Sequence, residues 1–143
     1  MTKQPLGPCH ILQKSQANLV DVAEFVNNYL KTHPVQFILL DGDIGAGKTT
    51  LVQVLANSWS QVAQPVVSPS FSKMLIYDKF VHLDAYNMNP GDLDQFGDFF
   101  VDKLVVIEWA QLLGEMLRPA LHIEIKYDPT ASTRRDYVIC LRN

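Results

Sequence analysis

The chain has 143 residues, 48% of them hydrophobic and 19% charged, with a net charge of −3. That length suits one α/β domain over 1–143 rather than two, and a mildly acidic chain without a clustered basic face argues against direct duplex binding. No apolar run approaches the roughly 20 residues of a bilayer span, and Met1 to Pro5 lacks the apolar core of a signal peptide, so a cytoplasmic protein without membrane contact is expected.

In chain order, Cys9 comes first; with Cys140 it makes neither a disulfide framework nor a metal motif, and both are expected as free thiols. Ser15 is placed to cap a first helix with Leu19, Val22, Ala23, Val26 and Leu30 on one face, ended by His33-Pro34. Phe37 to Leu40 lacks alternation, as a central parallel strand does. A second helix is predicted over Lys48 to Ser60, with Leu51, Val54, Leu55 and Trp59 inward. Short β-like pieces follow at Val66-Val67, Met74 to Tyr77 and Phe80 to Asp84, with a hairpin turn at Tyr77-Asp78-Lys79-Phe80. Asn87 to Phe100 is acidic and partly helical after Pro90-Gly91. Its Asp92, Asp94 and Asp98, with Asp102 beyond, read as a solvated face because calcium-loop spacing is missing. Leu104 to Ile107 is a second buried strand closed by Glu108-Trp109, and a short helix covers Ala110 to Leu117. Leu121 to Tyr127 and Tyr137 to Leu141 are late strands around an Asp128-Pro129 turn. The expected fold is α/β, a single-domain mixed β-sheet of P-loop NTPase type flanked by helices.

The chemistry concentrates between the first strand and the second helix. Gly42-Asp43-Ile44-Gly45-Ala46-Gly47-Lys48-Thr49 is G-x-x-x-x-G-K-[ST] in the strand–loop–helix context that a P-loop requires. Its glycines let successive N–H groups turn toward phosphate oxygens. Lys48 can neutralise the β- and γ-phosphates, Thr49 can hold Mg²⁺, and the helix start adds its positive dipole end. Glu108 ends an apolar strand, where the acid of a nucleotide hydrolase sits. His82-x-Asp84-x-Tyr86 falls at another strand end, and alternation would place all three on one face. Asp84 there could hold a metal-bound water or orient the nucleophile, while His82 and Tyr86 could be packing partners. Ser68-Pro69-Ser70-Phe71 reads equally as a turn or as a switch segment whose hydroxyls reach a γ-phosphate. Arg134 and Arg135 form the one paired-arginine site, suited to phosphate or to a solvated turn.

Together these residues resemble the TsaE family, formerly YjeE, small bacterial P-loop ATPases of tRNA threonylcarbamoyladenosine synthesis. Gly42 to Thr50 is similar to the family's G-D-L-G-A-G-K-T-T, Ser68 to Phe71 to its S-P-T-F, His82 to Asn87 to H-F-D-L-Y-R, and Ile107 to Gln111 to I-E-W followed by P/A and E/Q. Asn87 stands where the family has arginine, and no glycine precedes Arg134-Arg135 as in its G-R-R-like turn. The resemblance implies a site for ATP and Mg²⁺ lined by Asp43, Ile44, Gly45, Ala46, Gly47, Lys48, Thr49, Thr50, Ser68, Ser70, Asp84 and Arg134. It implies Thr49, Glu108 and Asp84 around the metal, an adenine contact near Ser15 or Gln16, and a nucleotide-responsive Ser68–Phe71 loop. It also implies work with TsaD and TsaB, which transfer threonylcarbamoyl to adenosine 37 of tRNAs that read ANN codons, with tRNA met only through that complex.

The expected activity is slow Mg²⁺-dependent ATP hydrolysis by positioning and charge neutralisation. Lys48, Asp84 and Glu108 are the catalytic candidates. No obvious cis arginine finger is present, so weak activity alone and stimulation by TsaB–TsaD are expected. A small-molecule P-loop kinase would need a lid and an acceptor pocket with arginines, yet all four arginines fall at or after Arg118. A GTPase-type switch would carry N-K-x-D, which is missing. A non-hydrolysing nucleotide-binding scaffold is the third rival.

Overall fold

The computed structural model describes residues 9–15, 18–43, 45–59, 66–69, 73–89, 91–113, 117–127, 130 and 134–142. The strands are Cys9–Ser15 (β1), Phe37–Gly42 (β2), Met74–Ile76 (β3), Phe80–Asp84 (β4), Leu104–Glu108 (β5), Ala120–Tyr127 (β6) and Arg134–Arg142 (β7). They form one sheet in the order β1-β7-β6-β2-β5-β4-β3. β6, β2, β5 and β4 run parallel. The edge pairings β1–β7, β6–β7 and β3–β4 are antiparallel. The helices are Leu19–Thr32 (α1), Lys48–Trp59 (α2) and Asp92–Phe96 (α3), with 3₁₀ turns at Ala85–Asn87, Gly97–Phe100 and Ala110–Leu113. The mixed α/β fold is therefore the one that the sequence predicts.

Two packed layers explain why β2, β4 and β5 are apolar on both faces. On one face Leu19, Val22, Ala23 and Val26 of α1 and Leu51, Val52, Leu55 and Ala56 of α2 cover Ile38, Leu40, Val106, Ile123 and Ile139. Trp59 Nε1 donates to Asn27 Oδ1 at 2.7 Å, tying the two helices with a polar clip. On the other face Leu39, Val81, Leu83, Val105 and Ile107 pack beneath Leu93, Phe96, Phe100 and Leu113. On the outer strand β1, Ile11 is 66% exposed. No helix among the described residues is long and apolar enough to cross a membrane.

Several local expectations are corrected. Ser15 does not cap α1; it ends β1 opposite Arg134, and Asn18 takes the cap position without a side-chain bond. Residues 9–15 form a strand, and the register they adopt places Cys9 directly opposite Cys140, where the two form a disulfide rather than free thiols. Val66-Val67 is irregular rather than β. Within the 110–117 segment, Ala110–Leu113 is a 3₁₀ turn rather than an α-helix. Asp94, Asp98 and Asp102 are exposed. Asp92 instead folds back, accepting from the Asn89 N–H at 2.7 Å and from Lys73 at 3.4 Å, and these bonds hold its carboxyl below the usual range.

Candidate functional site

The loop after β2 is shaped by glycine. Gly45 and Gly47 have φ of +82° and +105°, conformations that cost an L side chain strain, and a Cβ on either would point into open space. Gly42 is required for a different reason: a Cβ there would lie 2.8 Å from the Ile125 carbonyl and 3.2 Å from the Ala46 methyl. Ala46 N–H closes the bend onto Asp43 O at 3.0 Å, and Leu51 N–H makes the first helical bond, to Gly47 O at 3.0 Å. The N–H groups ahead of it lie in the turn whose donors have no intrahelical partner. No acidic side chain occupies that first turn, so its positive end is left for an external anion.

Lys48 is only 6% exposed. Its Nζ donates to Gly42 O at 2.6 Å and to Asp43 O at 3.1 Å, and it lies 4.0 Å from the centre of the Trp109 ring. Burial pushes this ammonium below its ordinary value of 10.5, although the carboxylates of Glu108, Asp41, Asp43 and Asp84 pull the other way.

The parallel β4–β5 register sets Asp84 beside Glu108, and the β2–β5 register sets Leu40 beside Glu108. Both carboxylates thus leave the carboxyl ends of adjacent strands on the α2 side, the usual place for a ligand in an open α/β sheet. Thr49 Oγ1 donates to Glu108 at 3.0 Å (Oε1) and 2.8 Å (Oε2). His82, fully buried, brings Nε2 to 2.6 Å from Glu108 Oε2, while its Nδ1 has no partner among the described residues. A carboxylate only accepts, so the proton of that bond sits on Nε2. Asp84 Oδ1 accepts from Tyr86 N–H at 2.9 Å, starting the 3₁₀ turn. That turn takes Tyr86 off the face shared by His82 and Asp84; it is 62% exposed and leans on Trp109 at 5.4 Å.

The structure thus brings Gly45, Gly47, Lys48, Thr49, Asp84 and Glu108 to one end of the sheet, with Asp43 exposed at the loop and Thr50 on the first turn of α2. Ser68 is exposed beside buried Pro69. Ile44, Ser70, Gln16 and the side chains of Ser15 and Asn87 lie outside what is described. The arginine that meets the loop is not Arg134, which is exposed and faces Asp136 at 3.7 Å. Arg135, 5% exposed, donates from Nε to Ala46 O at 3.1 Å and stacks 4.0 Å over the Tyr127 ring, with Nη1 buried and unpartnered among the described residues. Alternation carried that signal, since Arg135 shares a face with Tyr137 and Ile139, both buried. His82 was similarly visible on the face of Phe80 and Asp84.

The arrangement fits a phosphate chain with a hard divalent cation. The loop offers open space at Gly45 and Gly47, a buried ammonium, and a hydroxyl paired with a carboxylate, which are oxygen donors of the kind Mg²⁺ prefers.

The chain matches the family model described as "Threonylcarbamoyl adenosine biosynthesis protein TsaE" over residues 13–137. It is 34% identical over 99 residues to a tRNA threonylcarbamoyladenosine biosynthesis protein TsaE of Nostoc sp., covering 62% of this chain and 59% of that one. The protein of the same description in Aquifex aeolicus is 31% identical over 107 residues, covering 71% of this chain and 76% of that protein. In Bacillus subtilis the figures are 33% over 102 residues, 65% and 63%. Matches to the Nostoc and Bacillus relatives thus span less than two thirds of their lengths. Among solved structures the fold resembles that described as "Crystal structure of Bacillus subtilus YdiB", with a TM-score of 0.68 and 21% identity, covering 98% of this chain and 90% of that one.

Proposed function

The chain belongs to the TsaE family, and from that premise we propose that it binds and hydrolyses ATP with Mg²⁺ in threonylcarbamoyladenosine synthesis on tRNA. The observation that carries this is the convergence of Lys48, Thr49 and Glu108 at the ends of β2 and β5 beside an anion-ready loop. Residues 43–50 cradle the phosphates, with Ser68 and Ser70 on the nearby segment that responds to them. Lys48 exchanges its two carbonyls for phosphate oxygens. Mg²⁺, held by Thr49, Glu108 and Asp84, would neutralise the phosphate charge. Glu108 or Asp84 orients the attacking water, and His82 fixes the Glu108 carboxylate through Nε2. Arg135, rather than Arg134, supports the loop from below at Ala46.

In this reading the partners are TsaD and TsaB, tRNA is met only through them, the site of action is the cytoplasm where tRNA is modified, and hydrolysis resets the complex between transfers to adenosine 37. The test is a pull-down of TsaB and TsaD by this chain with ATP, ADP or no nucleotide, together with calorimetry of ATP and ADP. Retention that follows the nucleotide supports the assignment. No heat with either nucleotide, from folded protein in Mg²⁺, overturns it.

A further inference from the structure

We propose that His122 is a positioning residue for the nucleotide site, acting through Asp41 to hold the turn that follows Glu108 against the root of the phosphate loop. The β2–β5 ladder ends at Leu40 and Glu108. Beyond it the chain leaves the sheet through Trp109, with φ of +60°, into the 3₁₀ turn at Ala110–Leu113. Asp41, the last residue before Gly42, is 6% exposed, and its carboxylate takes over where the ladder stops. Oδ1 accepts from the Gln111 N–H at 2.9 Å, and Oδ2 lies 2.6 Å from His122 Nε2 on β6. One buried carboxylate therefore bonds to the turn that follows β5 and to β6 itself, on the two sides of β2. Because it only accepts, the imidazole donates through Nε2–H.

The pair lies on the sheet face away from α2, so His122 does not touch the nucleotide and acts through Asp41. Its surroundings show what its loss would do. A cavity of about 700 Å³ opens beside Asp41 and is lined by His122, Gln111, Glu124, Lys126 and Arg142. Without the imidazole, the Asp41 carboxylate is half-satisfied, and Lys126 and Arg142 compete for it against the Gln111 amide. The Glu108–Gln111 turn then loses its tie to the loop, while Lys48 and the loop amides stay in place.

The inference rests on the site being an ATPase centre, and the experiment separates the two. His122→Ala and His122→Gln are made in the full chain and followed by hydrogen exchange of the Gln111 amide without nucleotide, by ADP affinity and by kcat. In His122→Ala the Gln111 amide should exchange roughly tenfold faster or more, the outcome of losing a charge-assisted anchor. Its kcat should fall by a similar factor of about ten while the ADP dissociation constant stays within about threefold. His122→Gln, whose amide keeps an N–H donor, should restore both readouts. Should His122→Ala fail to fold, Asp41→Asn weakens the same anchor and should also speed Gln111 exchange. Unchanged Gln111 exchange in the folded variant, or equal loss of kcat in both His122 variants, overturns the inference. A parent protein that hydrolyses nothing overturns the ATPase reading, while the exchange measurement still decides the brace.

Discussion

Replacing Lys48 with methionine keeps the apolar stem and removes the three ammonium donors. In the free protein those donors are already engaged, with Gly42 O at 2.6 Å, Asp43 O at 3.1 Å and the Trp109 ring at 4.0 Å. The loss on nucleotide binding is therefore a difference. A unit charge against a phosphate oxygen at about 4 Å gains about 4 kcal/mol at an effective dielectric constant near 20. Two carbonyl bonds given up at about 0.5–1 kcal/mol each bring this to about 2–3 kcal/mol net. The dissociation constant for ADP should rise about 30- to 150-fold, measured by calorimetry on protein whose circular dichroism matches the parent. Burial lowers the pKa of this ammonium, and the protonated form is the binding form. Affinity of the parent should therefore decline as pH rises, starting below the ordinary lysine value of 10.5, and Lys48→Met should lack that decline. A dissociation constant within about threefold of the parent would refute the argument, since about 0.6 kcal/mol is too little for a phosphate-facing charge.

Three further outcomes follow from the geometry. Gly42→Ala drives a Cβ to 2.8 Å from the Ile125 carbonyl and should destabilise by about 1–3 kcal/mol in urea, whereas Gly97→Ala, with nothing within 4 Å and helical φ of −56°, should be neutral or stabilise by up to about 1 kcal/mol. Arg135→Ala should cost about 1–3 kcal/mol and weaken ADP binding, while Arg134→Ala should stay within about 0.5 kcal/mol; equal effects would show that the Ala46 contact has no weight. Cys140→Ser should lower stability by about 2–5 kcal/mol under non-reducing conditions, and the gap between variant and parent should close when the parent is reduced.

The sequence made the phosphate loop legible because its glycines, lysine and threonine carry their geometry in local backbone terms. β2 and β5 were equally plain, since a strand covered on both faces reads as an unbroken apolar run. β1 was not, because Cys9 to Ser15 is half polar and becomes a strand only by pairing with the far end of the chain. The same non-local pairing put Cys9 against Cys140 and removed Ser15 from helix capping. Arg134 and Arg135 stand side by side in the sequence and differ only by strand parity, which fixes which side chain turns inward to Ala46. Asp41 and His122 are 81 residues apart, and no spacing in the chain signals that they meet.

The Cys9–Cys140 link, with its separation of 131 positions, turns nearly the whole polypeptide into a covalent ring. A protease that severs one peptide bond within it releases no fragment: the nicked molecule keeps its mass, apart from one added water, and splits in two only after thiol treatment. Gel mobility with and without reductant therefore counts hidden cuts in this protein, and a preparation that looks intact on a non-reducing gel can already be open.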